Sequence, residues 1–426
     1  MAAQPADALL VGGGAIGLAA AYRLAERGAA VTVVDASGGR NASWAAAGML
    51  APVSEAAFGE DELTRLNLAA VPAFQRLAAE LLDRTGQPVG LRTEGTLAVA
   101  FNADDRAALD RLTDFRSGLG LSTQRLSGSA ARALEPYLAA GVRGGVLSAD
   151  DLSVDNRRYL TVLRSAAESA GVSFVRAEVT SLLWGSAGVT GVRTAAGAEL
   201  PARTVVLCGG AATGALLAVP VQPVKGQILR LAVPDRLRSA GPVLTRTVRG
   251  IVRGSEIYLV PRADGEVVVG ATCEQQGHDT GVTAGGVYEL LRNAYELLPI
   301  SSEFSFVEAR AGSRPGTPDN GPILGRIADG LVLATGHYRN GILLSALTAD
   351  AVTALVNGEP VPPVWRPFGP GRFAGYQPPQ PPIATTADLA RTQPARTQPA
   401  AAAPLTTQPA AAAPLTTQPA SAGLTS

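Results

Sequence analysis

The stretch from Asp7 to Asp35 limits what this chain can become more than any other. It reads Asp7-Ala8-Leu9-Leu10-Val11, then Gly12-Gly13-Gly14-Ala15-Ile16-Gly17, then an alanine-rich run, then Val31-Thr32-Val33-Val34-Asp35. Residues 8–11 form an apolar run that predicts a buried strand. Gly12, Gly14 and Gly17 fit the spacing G-x-G-x-x-G. In that motif the first glycine makes a tight turn, the second lets backbone approach a pyrophosphate, and the third lets helix pack on strand. The pattern predicts a helix over residues 15–27, stopped by Gly28. A second strand over 30–34 ends at Asp35, whose carboxylate can bind ribose hydroxyls. A lone G-x-G-x-x-G is weak evidence. Here strand, turn, helix, strand and acid fall in register, which predicts a Rossmann-type dinucleotide site with the helix N-terminus under the pyrophosphate.

Composition narrows the remaining classes. A chain of 426 residues allows two or three domains. A formal net charge of +0 argues against nucleic acid or an anionic membrane as partner. No apolar run of membrane-spanning length escapes interruption by glycine, proline or charge, and no basic region precedes the first apolar stretch, so a cytoplasmic protein is expected. Cys208 and Cys273 are the only cysteines and His278 and His337 the only histidines, too few for a disulfide framework or a histidine-rich metal centre.

After Asp35, residues 37–52 are mostly small, so backbone can lie close to a flat cofactor, with a short helix starting after Ser43. Helical periodicity recurs over 63–82 (Leu66, Ala70, Phe74, Leu77, Leu81), 104–119, 127–134 and 156–170, the last with Asp155 as N-cap. Strands are predicted over 94–101, 172–176, 179–183 and 202–208. The last runs into Gly209-Gly210, as if the chain returns to the nucleotide domain. Residues 228–233, 245–252, 256–261 and 266–271 predict antiparallel strands of a separate domain, followed by a helix over 285–298. A strand over 305–310 leads into the turn-rich run 311–322. A strand over 331–335, a turn over 336–341 and a helix over 342–356 make a second strand–turn–helix unit. From residue 376 onward Gln, Pro, Ala and Thr dominate and repeat, which predicts a disordered tail over 376–426.

Only one G-x-G-x-x-G is visible, so one nucleotide site is expected. It could hold NAD, and Asp35 does not discriminate. The interruptions of the nucleotide domain, resumed after Cys208 and after Phe306, favour a large cofactor buried between two domains, which points to FAD.

Several segments together resemble a family: 12–17, Ala45-Ala46-Ala47-Gly48-Met49-Leu50, Val224-Lys225-Gly226-Gln227, Tyr258-Leu259-Val260-Pro261-Arg262, Val269-Gly270-Ala271-Thr272, Arg314-Pro315-Gly316-Thr317 and His337-Tyr338-Arg339-Asn340-Gly341-Ile342-Leu343. They are similar to the glycine oxidases of the thiamine-biosynthesis type, within the D-amino-acid oxidase and sarcosine oxidase superfamily of FAD enzymes. The resemblance covers about residues 7–370. It implies an α/β plus α+β fold. Residues 1–85, 140–220 and 306–370 would form a discontinuous Rossmann-type FAD-binding domain, and residues 86–139 and 221–305 a mixed-sheet substrate domain. It further implies oxidation of glycine to the imine with dioxygen reduced to hydrogen peroxide, supply of that imine to thiazole formation, and a homotetramer.

Residue roles follow from the same resemblance. Arg314 matches the carboxylate-binding arginine, and its planar fork suits a carboxylate. Arg339, Tyr258 and Met49 match residues lining the substrate site. Gly12, Gly14, Ala15, Ile16 and Gly17, with Asp35 and Ala36, would hold the dinucleotide. Asn41, Ala42, Ser43, Ala46, Ala47, Gly48 and Met49 would follow the cofactor, and Val179 would meet the adenine. The turn His337, Tyr338, Arg339, Asn340, Gly341, Ile342 and Leu343 would contact the flavin. No catalytic side chain is required, because the flavin supplies the hard chemistry; His337 would pack or hydrogen-bond near the ring. Two positions depart from the family: Cys273 stands in place of methionine, and Asp35 in place of glutamate. The arginines do not separate glycine oxidase from sarcosine oxidase or D-amino-acid oxidase. A non-catalytic FAD-binding scaffold is the alternative of another class.

Overall fold

The computed structural model describes residues 5–380 apart from Ala240 and Arg253. The repeat expected to be disordered lies outside the described residues from 381 onward. Two large sheets carry the fold. In the first, Ala6–Val11 is central and pairs in parallel with Glu199–Leu207 on one side and Val31–Val34 on the other. Ser173–Val175 extends one edge in parallel; Leu331–Thr335 and then antiparallel Ile323–Ala328 extend the other. A continuous apolar run suits Ala6–Val11 because both faces of a parallel sheet are covered. The helix Ala15–Glu26 follows at once, and its fully buried Ala19, Ala20 and Ala21 let it pack closely on Ser345–Asn357 and Asn156–Ser169.

The second sheet runs in the order Ser305–Gly316, Gln222–Ala232, Glu266–Gly270, Ser255–Pro261, Thr247–Val252, Thr96–Ala100, Gly144–Ser148, Gln124–Ser127. All neighbours are antiparallel except Thr247–Val252 on Thr96–Ala100, so the sheet is mixed. The helix Ala284–Leu297 buries Leu290, Ala294 and Leu297 against Leu229, Val248 and Leu259. No helix among the described residues is long and apolar enough to cross a membrane.

Several boundaries differ from the sequence expectation for local reasons. Ser305–Gly316 continues as strand through Arg314, where a turn-rich run was expected. Pro315 there sits opposite Pro223, so two residues without N–H donors share one rung at the sheet edge. The helix expected from residue 342 begins at Ser345; the turns before it follow Gly336 and Tyr338, both with positive φ (73° and 43°). The strands Gly144–Ser148 and Val189–Thr194 escape a periodicity reading because glycines interrupt them. A Cβ at Gly145 would lie 2.8 Å from the Ala98 carbonyl, and one at Gly191 would lie 2.3 Å from the Leu200 carbonyl. Strand pairing also moves the changeover between sheets: Gly144–Ser148 and Ser305–Gly316 belong to the second sheet, although divisions at 140 and 306 were expected.

Candidate active site

One long cavity runs from the first glycines to the second sheet. At its nucleotide end, Gly12 has φ of 114°, and a Cβ there would sit 2.4 Å from the Cys208 carbonyl. The Ala15–Glu26 helix starts at Gly14 with no side-chain cap from that residue and no acidic residue in its first turn. A helix start lined by glycine and free of acidic side chains suits a diphosphate. Gly12, Gly14, Ala15 and Ile16 line the cavity. Gly17 does not; a Cβ there would lie 1.9 Å from the Gly12 carbonyl, so it serves helix–strand packing. Asp35 lines the cavity and also ties the surrounding turns together. Its Oδ2 accepts from Gly13 N at 2.6 Å, and its Oδ1 from Ser37 Oγ at 2.8 Å and Gly39 N at 3.0 Å. Ser37 and Gly39 line the cavity where the sequence reading named Ala36, which is exposed and outside the lining. Val179 starts the strand Val179–Trp184 and also lies outside the lining, as does Leu343, which is buried in the core. Cys208 is a packed side chain under this end; burial pushes its thiol far above the usual range.

Asn41, Ala42, Ser43, Ala46, Ala47, Gly48 and Met49 line the middle of the cavity. Their small side chains leave backbone facing the space. The Ser43 hydroxyl accepts from Ala15 N at 3.1 Å, tying this segment to the helix start. These features fit a flat dinucleotide cofactor: glycines where a Cβ would fill the cradle, a helix N-terminus free of acids, and a ribose-side carboxylate.

The far end is built on two glycines of the second sheet. The Arg314 guanidinium lies across Gly226, where a Cβ would come within 2.4 Å of both terminal nitrogens. Tyr258 lies across Gly270 in the same way, 2.4 Å from its hydroxyl to that notional Cβ. Arg314 donates to the Thr272 carbonyl at 3.3 Å and meets no carboxylate within ion-pair distance among the described residues. Burial raises the Tyr258 phenol above its ordinary range against the opposing pull of Arg314, so it stays protonated and able to donate. Arg339 also reaches the cavity, but it is more exposed, with Glu55 and Glu60 each at 3.8 Å.

Sequence reasoning missed the acid–base lattice around this end. Arg249 stands opposite Tyr258 in the sheet and pairs with Glu55 at 3.0 Å. Glu55 is set in place by its neighbours: Asp151 accepts from Val53 N at 2.9 Å, and Arg116 donates to the Ser54 carbonyl at 2.5 Å and the Ala56 carbonyl at 3.2 Å. These partners are 60 or more residues away in sequence, so no local pattern announces them. Cys273 also lines the cavity, beside Tyr338.

His337, Tyr338, Arg339, Asn340, Gly341 and Ile342 all line the cavity. The His337 Nε2 meets Thr348 Oγ1 at 3.0 Å, and burial pushes its pKa from 6.5 down to about 3. It is therefore neutral at working pH and packs rather than shuttling protons. Between about 6.5 and 3 the unfolded chain binds the proton and the folded one refuses it, so stability falls as pH drops through that window. H337Q, which keeps a partner for Thr348, is expected to flatten this loss. Urea midpoints at pH 7 and pH 5 should differ less in the variant; an unchanged pH dependence would refute the assignment.

A dinucleotide cradle at the parallel strands of the first sheet, opening onto a guanidinium and a phenol on a mixed sheet, defines a dinucleotide-dependent class of enzyme. The sequence matches the FAD-dependent oxidoreductase family named DAO over residues 7–355, and the chain belongs to that family, with FAD as its cofactor. The bifunctional protein ThiO/ThiG of Synechocystis is 36% identical over 371 residues, covering 86% of this chain and 54% of that protein, so the chain spans about half its length. The glycine oxidase of Geobacillus kaustophilus is 35% identical over 82% of this chain and 92% of its own length. The crystal structure of glycine oxidase from Geobacillus kaustophilus superposes with a TM-score of 0.81 at 34% identity, covering 88% of this chain and 100% of that one.

Proposed function

We propose that this protein oxidises glycine, and with it sarcosine or small D-amino acids, to the imine, with dioxygen as electron acceptor. The observation that carries this reading is the Arg314 fork, laid open over Gly226 without a carboxylate partner among the described residues and with the Tyr258 hydroxyl beside it. Together they offer a substrate carboxylate a bidentate cation and a neutral donor. Similarity to proteins named glycine oxidase supports the same substrate, and similarity to ThiO/ThiG supports supply of the imine to thiazole formation. In this reading the first sheet carries the FAD domain and the second the substrate domain, and the protein is a cytoplasmic homotetramer, which light scattering tests.

The residues of the cradle, from Gly12 to Ile16 and from Asn41 to Met49, would hold FAD, which when bound would supply the two-electron redox chemistry between substrate and dioxygen. The protein's own part is to bind and orient. Arg314 and Tyr258 hold the carboxylate and so turn the substrate Cα–H toward the cofactor end of the cavity. Met49, Tyr258 and Ala271 line the cavity and pack against Ala47, Ile228, Val260 and Val268, which limits side-chain size there. His337, buried and engaged with Thr348, is held neutral and is a poor base for the substrate amine, which reacts in its deprotonated form. The rate at low glycine is expected to rise tenfold per pH unit until the amine is deprotonated; a flat alkaline limb would refute this. Mixing the yellow protein anaerobically with glycine, sarcosine or D-alanine tests the activity itself. Bleaching by glycine, reversed by air with peroxide release, supports it. Bleaching only by a larger amine moves the protein to a neighbouring activity, and no bleaching favours the non-catalytic scaffold.

A further inference from the structure

Behind the segment 43–49 lies a buried polar cluster that the reaction as described does not use. Arg262 is 5%, Arg230 2% and Asn156 0% exposed. The Arg262 Nη2 donates to the Ala47 carbonyl at 2.6 Å and to Asn156 Oδ1 at 3.2 Å. Arg230 donates to the same Asn156 oxygen at 3.1 Å and pairs with Glu266. The Asn156 amide donates in turn to the Ser43 carbonyl at 2.9 Å and the Trp44 carbonyl at 3.0 Å. The Gly48 carbonyl accepts from Val154 N at 2.8 Å. Four carbonyls of the segment, those of Ser43, Trp44, Ala47 and Gly48, are thus held toward the protein body.

A trans peptide places its N–H opposite its carbonyl. Holding the Ala47 carbonyl on Arg262 therefore turns the Gly48 N–H the other way, toward the cavity that Gly48 lines. That N–H meets no protein acceptor among the described residues. Gly48 can make the bend because it has no Cβ: φ is 75°, and a Cβ would lie 2.0 Å from the Val154 carbonyl. The cost of the arrangement falls on Arg262, whose buried Nε and Nη1 have no hydrogen-bond partner among the described residues. Arg262 remains protonated at neutral pH even though burial pushes it down to about 10. An arginine left incompletely satisfied in the interior is hard to explain by stability alone.

We propose that Arg262, assisted by Asn156, is a positioning residue for the cofactor: it locks the Ala47–Gly48 peptide so that the Gly48 N–H is presented to the bound FAD. The inference rests on the family's cofactor and not on which amine is oxidised, so its tests stand apart from the substrate reading. In R262M the Ala47 carbonyl loses its partner and the peptide is free to turn. FAD titrated into the apoprotein should bind at least tenfold more weakly. In the variant saturated with FAD, sulfite, which adds to the oxidised isoalloxazine and leaves it negatively charged, should also bind at least tenfold more weakly, because the aimed donor no longer favours that charge. R262K, which retains a donor to Ala47, should return both constants to within threefold of the parent. A folded R262M with both constants within twofold of the parent overturns the proposal. So does a folded R262K that loses as much as R262M, since that assigns the side chain to packing. Should R262M not fold, R262K carries the test alone: constants within threefold support the proposal, and a tenfold loss of both overturns it.

Discussion

Replacing Arg314 with leucine should abolish productive binding of amino-acid substrates while leaving FAD in place. The guanidinium rests on Gly226, donates to the Thr272 carbonyl at 3.3 Å and lies beside the Tyr258 phenol, so its removal breaks neutral contacts and no ion pair among the described residues. The fold should therefore survive. What disappears is the cation that faces the cavity. Loss of a buried charge partner for a carboxylate costs about 2–5 kcal/mol. That is a loss of about 30-fold to several thousand-fold in kcat/KM. Stopped-flow reduction by glycine reads it directly: the saturation constant should rise by that order, with the flavin spectrum unchanged. R314K should recover only part, because an ammonium cannot offer the two parallel N–H groups of the fork. An R314L protein reduced by glycine as readily as the parent would place the carboxylate elsewhere, with Arg339 the next residue to examine.

The second large effect is expected at Gly17, which never touches the cavity. An alanine there would put its Cβ 1.9 Å from the Gly12 carbonyl oxygen and 3.1 Å from Cys208 Sγ. The first neighbour is backbone in the tight turn itself, so the helix Ala15–Glu26 must move off the strand Ala6–Val11. Overpacking of this kind typically costs about 1–3 kcal/mol. The displaced helix start should also weaken FAD binding strongly. G17A is expected to purify colourless and to melt below the parent. G285A is the control, an alanine in the helix Ala284–Leu297 whose Cβ would meet nothing within 4 Å. If G17A holds FAD as tightly as G285A does, the packing role fails.

Much of the fold could be read before the structure, and the parts that could not share a cause. The segments Ala6–Val11, Ala15–Glu26 and Val31–Val34 are declared by apolar runs, glycine spacing and a stop at Gly28. Asp155 caps Asn156–Ser169 as its residue type suggests, accepting from the N–H groups of Arg157 and Arg158 at 3.1 Å. Gly144–Ser148 and the far half of Ser305–Gly316 were not legible, because glycine and proline signal turns unless a partner strand requires them. The partner is set by the sheet, and no window of neighbouring residues contains it. The candidate site divides in the same way. Arg314, Tyr258 and the turn from His337 to Ile342 sit in segments whose local residues mark them. Glu55, Arg249 and Arg116 are ordinary charges in sequence and become a lattice only when strands and loops meet.

The sequence by itself determined a dinucleotide-binding unit at the N-terminus, a sheet-rich block after residue 221, and a family whose cofactor is FAD. Each rests on interactions between residues close in the chain, where spacing and side-chain type are enough. The tertiary structure decided where those units meet. It gave Asp35 its three donors, laid Arg314 over Gly226, held His337 neutral in the interior, and drew the carbonyls of Ser43, Trp44 and Ala47 back onto Asn156 and Arg262. Desolvation and long-range hydrogen bonds set those states, and both come into being only when distant segments are packed together.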